Sequence, residues 1–296
     1  MCLRSVAKLA EKLPENAPGD FYVDRTCIDC ATCRQMAPDV FTQGAGFSYV
    51  ARQPGDARTE FHALQALVAC PTGSIGAAHR AEGTRRAANA FPEQVEGDVF
   101  FCGYTSEKSF GAWSWLLRRP EGNVLVDSPR AAAPLLSGIE RLGGVATLFL
   151  THRDDVADHA ALRKRFSCDR VIHARDADAL GEPPEKTFDG DDPVRLADDL
   201  LAVPTPGHTR GHAVLLWKST YLFTGDHLAF SKRRGHLVGF RDACWYSWEE
   251  QIRSMERLLD FSFTWVLPGH GEKFRADSPA TMRKEIETCI AWMKTR

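Results

Sequence analysis

PGHTRGH, at Pro206–His212, is one of four short motifs in this chain that join histidine to glycine, threonine or aspartate. The others are THRDDVADH at Thr151–His159, TGD at Thr224–Asp226 and LPGHG at Leu267–Gly271. Each motif comes after a short apolar run that we predict to be a strand. Loops that follow such elements commonly carry functional side chains. The four motifs therefore predict a functional site carried on loops.

Histidine and aspartate are residue types that suit a metal centre. Imidazole binds zinc and iron, and a carboxylate can bridge two cations and offset their charge. Two metal ions about 3.5–4 Å apart can share one hydroxide as nucleophile and polarise the bond that it attacks. The pattern therefore indicates a metal-dependent enzyme.

In this order, the four motifs resemble those of the metallo-β-lactamase fold family of hydrolases. The resemblance covers about Val99 to the C-terminus and implies an αββα sandwich with the motifs along one edge. The ligands that it implies are His152 and His208 for a first metal ion, Asp158, His159 and His270 for a second, and Asp226 as the bridging carboxylate. It also implies catalytic roles for Asp158 and Asp226. We expect His212 and Asp127 to support the ligands, and His227 is a further candidate for lining the site.

The first motif departs from the family pattern H-x-H-x-D-H. Asp154 occupies the place of the second histidine, and two extra residues separate it from Asp158 and His159. In one interpretation Asp154 is an oxygen ligand, which favours iron or manganese over zinc. In another, the insertion displaces Asp158 and His159 and leaves a mononuclear or degraded site. In a third, Asp154 or Asp155 is the N-cap of the next helix.

A second constellation lies near the N-terminus, where CIDCATC at Cys27–Cys33 is followed far downstream by Cys70 and a proline. Three closely spaced cysteines and a remote Cys-Pro are typical of an iron–sulfur site, whereas a zinc ribbon pairs two knuckles. A zinc site or disulfides remain alternatives. The segment from Phe21 to Ile75 resembles a single-cluster bacterial ferredoxin. The resemblance implies a [4Fe-4S] cluster bound by Cys27, Cys30, Cys33 and Cys70.

The sequence therefore predicts an α/β protein in which a small α+β ferredoxin-like domain precedes the metallo-β-lactamase sandwich. We expect the iron–sulfur domain at 1–80, a linker at 81–96 and the larger domain at 97–296. Within the larger domain, we predict a hairpin turn at Glu121–Asn123 and helices at Ala131–Leu142, His159–Phe166, Trp248–Phe261 and Pro279–Thr295.

The overall composition limits which partners and which cellular compartment we expect. The net charge of −2 gives no reason to expect nucleic acid, and no apolar run approaches the ~20 residues of a membrane span. With no recognisable export signal and an oxygen-sensitive cluster, we expect a cytoplasmic protein. Lys232-Arg233-Arg234 suits an anionic substrate or an acidic redox partner, and equally a solvated surface turn.

The sequence favours a metal-dependent hydrolase of a small molecule, with one or two zinc or iron ions in the larger domain. The alternative is an iron-dependent redox enzyme, similar to flavodiiron proteins or persulfide dioxygenases and supplied with electrons by the cluster. A catalytically weak sensor or electron carrier is a third class. The sequence does not identify the substrate.

Overall fold

The structure is a computed structural model that describes residues 7–77 and 81–296. The described chain divides into two compact units. Unit 1 runs to Ala146 and includes Ala160–Ser167, and unit 2 comprises Thr147–His159 and Cys168–Arg296. Residues 1–6 and 78–80 of the predicted first domain lie outside the described residues. The predicted domain limits at 80/81 and 96/97 stay a prediction.

The first part of unit 1 brings the cysteine segments together on a small α+β scaffold. Its elements are β1 (Phe21–Val23), α1 (Thr32–Met36), β2 (Phe41–Gln43), β3 (Ser48–Val50), α2 (Ala57–Ala69) and β4 (Ile75–Ala77). Strands β1 and β4 pair antiparallel, as do β2 and β3. Helix α2 begins with a capping box between Asp56 and Thr59 and ends immediately before Cys70. Cys33 lies in α1. Each of the two helices therefore positions one of the predicted cluster cysteines.

The rest of unit 1 is an antiparallel meander with flanking helices. Its elements are α3 (Ala81–Ala88), β5 (Glu93–Glu96), β6 (Val99–Phe101), β7 (Trp115–Leu117), β8 (Val124–Val126) and α4 (Ala133–Arg141). The predicted hairpin is confirmed, because β7 pairs with β8 with Trp115 opposite Val126. The segment predicted as a linker has regular structure, since 81–88 is helical and β5 pairs with β6.

Helix α5 (His159–Phe166) begins in unit 2 and continues in unit 1, with the bounds that its sequence predicted. The strands of unit 2 are β9 (Thr147–Phe149), β10 (Asp169–His173), β11 (Lys186–Phe188), β12 (Val194–Ala197), β13 (Leu200–Pro204), β14 (Ala213–Trp217), β15 (Tyr221–Gly225), β16 (Ala229–Ser231), β17 (His236–Val238), β18 (Trp265–Pro268) and β19 (Phe274–Arg275). Its other helices are α6 (Trp248–Arg257) and α7 (Pro279–Met293).

Unit 2 contains a three-stranded parallel segment and a larger sheet. In the segment, β10 pairs in parallel with β9 and β11. The larger sheet has six strands in the order β12-β13-β14-β15-β18-β19, in which only β15 and β18 are parallel neighbours. Its apolar face packs on α6 and α7 in a core that includes Val214, Val266, Met255, Ile286 and Met293. This packing fixes the strand ends from which the motif loops emerge.

Among the described residues, no helix combines the length and apolar character required to cross a membrane.

Candidate functional site

The strand order of unit 2 brings the four motifs together. Strands β15 and β18 run parallel with Gly225 opposite Pro268, so the residues that follow them emerge at the same edge. The Gly269 amide donates a hydrogen bond of 2.8 Å to the Gly225 carbonyl. Asp226 and His270 are therefore neighbours. The Ala213 amide bonds in turn to the Thr151 carbonyl, which joins the first motif to the strand that follows PGHTRGH.

Two imidazoles and two carboxylates converge where these loops meet. The Nε2 atom of His208 lies 3.3 Å from Asp154 Oδ2 and 3.8 Å from Asp226 Oδ2. The Nε2 atom of His152 lies 3.9 Å from each of the same two oxygens. Potential ligand atoms of His152, Asp154 and His208 all lie within 4.8 Å of one another. This N₂O₂ donor set can hold a cation such as zinc, iron or manganese.

His270, from the fourth motif, contacts the Asp226 carboxylate. Its Nδ1 atom lies 2.8 and 2.9 Å from the two oxygens of Asp226. Asp226 thus contacts His270, and its Oδ2 atom also lies 3.9 Å from His152 and 3.8 Å from His208. A carboxylate in this position can serve two cations. The structure therefore brings together five of the seven predicted metal ligands: His152, Asp154, His208, Asp226 and His270.

Hydroxyl groups fix the orientation of the buried imidazoles. The Oγ1 atom of Thr151 lies 2.9 Å from His152 Nδ1, so the opposite nitrogen, Nε2, faces the carboxylates. That nitrogen is buried and has no hydrogen-bond partner among the described residues. Such an orphaned polar atom is costly unless a ligand satisfies it. His152 is therefore oriented as a metal ligand would be.

A buried carboxylate behind the site holds the loop that carries His208. Asp176 accepts hydrogen bonds from the Thr209 hydroxyl at 2.5 Å and the Gly211 amide at 2.9 Å. It also accepts one from the Arg153 amide at 3.2 Å, next to His152. Asp176 thereby connects two of the motif loops. Asp176 was not among the predicted site residues, because nothing in the local sequence distinguishes it from the other aspartates of the same segment.

The electrostatics of the cluster favour cation binding. Burial, followed by the neighbouring His208, lowers the pKa of His152 to about 4. Contact with His208 holds the pKa of Asp154 below its usual range. Burial by itself would raise the pKa of Asp226, but His270 and the other imidazoles outweigh it and hold that pKa well below its usual range. Neutral imidazoles beside ionised carboxylates are the protonation states that metal binding requires.

Asp155 is a buried acid that the sequence analysis considered only as a helix cap. Potential ligand atoms of Asp155, His152 and Asp226 lie within 4.8 Å of one another. A Cβ atom placed on Gly269 would lie 2.9 Å from both an Asp155 and an Asp226 oxygen, so only glycine fits between these carboxylates and the backbone. Asp155 is therefore a further candidate ligand. The preceding residue, Asp154, is the one that aligns with a histidine of the family pattern.

Asp158 and His159 lie outside both ligand groups that the described residues form. His159 is the first residue of α5, and its Nδ1 atom lies 3.2 Å from Nη1 of the buried Arg170. That guanidinium also binds Glu182 and Glu185. The ligand roles of Asp158 and His159, and the catalytic role of Asp158, stay predictions that these distances do not support.

Two further buried histidines, His212 and His227, lie next to the cluster of proposed ligands. The His212 ring centroid lies 5.1 Å from that of His152 and 5.5 Å from that of His227. The Thr205 hydroxyl lies 2.9 Å from His212 Nδ1. Burial lowers the pKa of His212 well below its usual value and that of His227 to about 3. His212 thus packs against a ligand candidate, as a supporting residue would, whereas the supporting role of Asp127 stays a prediction.

The four predicted cluster cysteines of unit 1 line one small cavity. None of Cys27, Cys30, Cys33 and Cys70 forms a disulfide. The Ser48 amide donates to Cys27 Sγ and the Ser74 amide to Cys70 Sγ, each at 3.3 Å. Amide donors of this kind stabilise thiolates bound to iron. The geometry fits a single cluster held by four cysteines.

Burial disfavours the thiolate form of three of these cysteines in the absence of a bound metal. It raises the pKa of the Cys30 thiol to about 11, and it raises the pKa of Cys33 further and that of Cys27 less. Bound cations reverse this preference because a coordinated thiol is deprotonated. The cavity is therefore suited to thiolates that bind a metal cluster.

A loop of the meander covers one side of the cysteine cavity. The Thr32 hydroxyl donates to the Gly111 carbonyl at 3.2 Å. A Cβ atom on Gly111 would lie 2.6 Å from Cys30 Cβ and 2.8 Å from Cys30 Sγ. The buried Arg130, which follows β8, donates to the carbonyls of Val68 at 2.6 Å and Cys70 at 3.3 Å. The cysteine loops and the meander therefore pack as one body within unit 1.

Comparison with known proteins separates the two parts of the chain. Residues 23–77 match the family model of the 4Fe-4S single cluster domain of Ferredoxin I. The chain is 34% identical to a hydroxyacylglutathione hydrolase of Citrobacter koseri over 127 residues, which cover 42% of this chain and 49% of that protein. It is 30% identical to that of Rhodospirillum rubrum over 157 residues, covering 51% of this chain and 59% of that protein. The chain thus spans about half the length of the curated relatives that it matches.

Solved structures give the fold of the larger part. The DIM-1 metallo-β-lactamase exposed to ceftazidime matches with a TM-score of 0.51 and 22% identity, covering 66% of this chain and 95% of that one. VMB-1 matches with a TM-score of 0.52 and 16% identity over the same shares of the two chains. The larger part of the chain therefore has the metallo-β-lactamase fold, and residues 23–77 are similar to a single-cluster 4Fe-4S ferredoxin domain.

Proposed function

We propose that this protein is a metal-dependent hydrolase of small-molecule thioesters. The observation that carries the proposal is the convergence of the buried His152 and His208 imidazoles with the Asp154 and Asp226 carboxylates. No described cationic side chain forms an ion pair with either carboxylate other than the histidines of the cluster. A bound cation would satisfy both the carboxylates and the inward-facing nitrogens.

The donor atoms support one or two zinc or iron ions. His152, Asp154, His208 and Asp226 would hold the first. Asp155, which meets Asp226 and His152, and His270, which meets Asp226, are the candidate ligands of a second. When bound, such ions lower the pKa of a water molecule and polarise the carbonyl under attack. Asp226 would act by holding both ions, and Thr151 by keeping His152 in its ligand orientation.

The thioester class is proposed from the curated relatives together with the rim of the site. Those relatives are named as hydroxyacylglutathione hydrolases, which are thioesterases. Trp245 is 69% exposed, and its ring centroid lies 6.4 Å from that of His208. The amides of Trp245 and Tyr246 both bond to the His208 carbonyl, so the exposed aromatic pair is fixed beside a proposed ligand. Exposed aromatic rings at such a position can hold the organic part of a substrate.

Activity and metal content test the hydrolase proposal together. We expect the protein loaded with zinc or iron to hydrolyse a hydroxyacylglutathione thioester. Asp226→Asn should lose at least one metal ion per chain and about 10²-fold or more in kcat/KM, because it loses the shared carboxylate. The matched control is Asp198→Asn, which removes an exposed carboxylate elsewhere in unit 2. Full activity in Asp226→Asn, or equal losses in both variants, would contradict the assignment.

We also propose that Cys27, Cys30, Cys33 and Cys70 hold a [4Fe-4S] cluster. Anaerobically purified protein should contain about four cluster irons per chain and a matching amount of acid-labile sulfide. Cys30→Ser should lose cluster iron, whereas Cys244→Ser, which alters a cysteine of unit 2, should keep it. Zinc in place of iron, with no labile sulfide, would contradict the proposal.

The redox alternative rests on Asp154 in place of a histidine, and the relatives favour hydrolysis. The two proposals differ in what Cys30→Ser does to turnover. For a hydrolase, the activity per folded, metal-loaded molecule should persist when the cluster is lost. Turnover that requires both the cluster and a reductant would favour the redox enzyme.

A further inference from the structure

Unit 2 has an open cavity of about 740 Å³ that none of the proposed metal ligands lines. It is bounded by the β16–β17 hairpin, the turn at Arg241–Ala243 and the C-terminal end of α7. This volume lies in the range of small-molecule sites. The cavity also includes two of the three residues of the basic run noted in the sequence, Arg233 and Arg234.

The charge of the cavity is strongly positive. Arg233, Arg234, Arg241 and Arg296 line it, against one acidic side chain, Asp242, among its described lining residues. Within the described part of the chain, none of the four guanidinium groups forms an ion pair or donates a hydrogen bond. By contrast, the adjacent Lys232 is paired with Glu272 at 3.0 Å. Like charges that lack partners repel one another, so an anion is the ligand that this arrangement fits.

Aromatic rings hold three of the guanidinium groups in position. The Cζ atoms of Arg234 and Arg296 lie 5.0 and 5.3 Å from the centroid of Trp292. The Cζ atom of Arg241 lies 5.9 Å from the centroid of Trp248. A guanidinium that contacts a ring through its face keeps its N–H donors available in the plane. Those donors match the bidentate geometry of carboxylate and phosphate groups.

The cavity wall is continuous with the loops of the metal centre. Phe240 lines the cavity, and its Cζ atom would lie 3.3 Å from a Cβ atom placed on Gly271, next to His270. Further along the same segment, Trp245 bonds to the His208 carbonyl. A ligand in the cavity therefore contacts the segment that links two metal-ligand loops.

We propose that this arginine-lined cavity binds a small molecule that carries two or more carboxylate or phosphate groups. The ligand is either the anionic end of the substrate itself or a separate anionic metabolite. The first source rests on the proposed hydrolase function, whereas binding to the cavity does not.

Direct binding is the first test, with pyrene-1,3,6,8-tetrasulfonate as a fluorescent tetra-anion that coordinates metals poorly. The metal-loaded protein should bind it below about 1 mM, and inorganic phosphate or succinate should compete. Arg233→Gln/Arg241→Gln should weaken binding about 10-fold or more, since two charge-assisted contacts are lost. The matched control, Arg195→Gln/Lys284→Gln, removes two exposed charges elsewhere in unit 2 and should change binding less than about twofold.

No binding by the wild-type protein, or equal weakening by both double variants, would overturn the proposal. Chemical modification of the wild-type protein tests the proposal without relying on a variant that folds. Phenylglyoxal should modify Arg233 and Arg241, and the tetra-anion should protect both while leaving Arg195 reactive. Absence of protection would likewise overturn the proposal.

Two thioesters distinguish the sources of the anion. S-acetylmercaptosuccinate has a dicarboxylate leaving group, whereas S-acetyl-N-acetylcysteamine has none. If the cavity binds the anionic end of the substrate, Arg233→Gln/Arg241→Gln should raise KM about 10-fold for the first thioester only. If the double variant loses binding of the tetra-anion but changes KM equally for both thioesters, or for neither, the cavity binds a separate metabolite. Lack of thioesterase activity would contradict the proposed function and leave the binding result intact.

Discussion

Gly111→Ala tests whether the meander loop sets the geometry of the cysteine site. Gly111 has φ +85°, and an added Cβ would lie 2.6 Å from Cys30 Cβ and 2.8 Å from Cys30 Sγ. The left-handed backbone costs a residue with a Cβ about 1–2 kcal/mol. Displacing the short Cys30 side chain adds about 1–3 kcal/mol, as other overpacked cores do. We therefore expect a loss of roughly 2–5 kcal/mol, which is a large share of the stability of a typical domain.

The matched control for this prediction is Gly46→Ala. Gly46 has φ +82°, and a Cβ placed there meets no heavy atom within 4 Å. This variant should therefore cost only the backbone strain of about 1–2 kcal/mol. The difference between the two variants isolates the contact with Cys30, which should be about 1–3 kcal/mol.

Urea unfolding of the iron-free protein measures this difference, because cluster loss makes unfolding of the loaded protein irreversible. Iron and labile sulfide per chain, measured after anaerobic purification, give the second readout. Gly111→Ala should hold less cluster than Gly46→Ala, since Cys30 must move. Equal free energies of unfolding and equal iron contents for the two variants would refute the reasoning.

Three further predictions concern the supports of the two sites. Arg130→Met should destabilise the protein by about 1–3 kcal/mol in urea, because the buried Val68 carbonyl loses its donor; the exposed Arg118→Met should cost less. Asp176→Ala should weaken metal binding about 10–100-fold in a chelator competition, because the loop that carries His208 loses two hydrogen bonds. Unchanged affinity would show that this loop keeps its conformation without Asp176. Burial lowers the pKa of His227 to about 3 in the folded protein, below its unfolded value of about 6.5. Its contribution to stability is therefore present above pH 6.5 and is lost as the pH falls towards 3. The free energy of unfolding of the metal-free protein, measured at pH 4, 5 and 7, should show this loss, and His227→Phe should show a weaker pH dependence.

Much of the fold could be predicted because its signals are local. The turn at Glu121–Asn123 and the helix at His159–Phe166 follow from short-range patterns that survive in the structure. The segment from 81 to 96, which the sequence predicts to be a linker, contains α3 and β5. Its polar composition hid a strand at the edge of the meander, which has one neighbour, β6, and exposes or half-exposes its side chains.

The candidate metal site could be predicted only in part. His208, Asp226 and His270 lie at fixed distances from strand ends, so their motifs locate them without the fold. The first motif is longer than the family pattern, and counting residues cannot tell which of its acids point inward. The structure turns Asp154 and Asp155 towards the histidines and leaves His159 beside Arg170.

The sequence by itself determined the ligand types of the two candidate sites. Cysteine spacing and the order of the four motifs indicate the ligand chemistry, and both can be read along the chain without knowledge of the fold. Only the tertiary structure decided which side chains meet: Asp155 with Asp226, Gly111 with Cys30, and four arginines around one cavity. These contacts join residues far apart in the chain or depend on the exact path of a loop. Packing of whole elements sets them, and no local pattern encodes that packing.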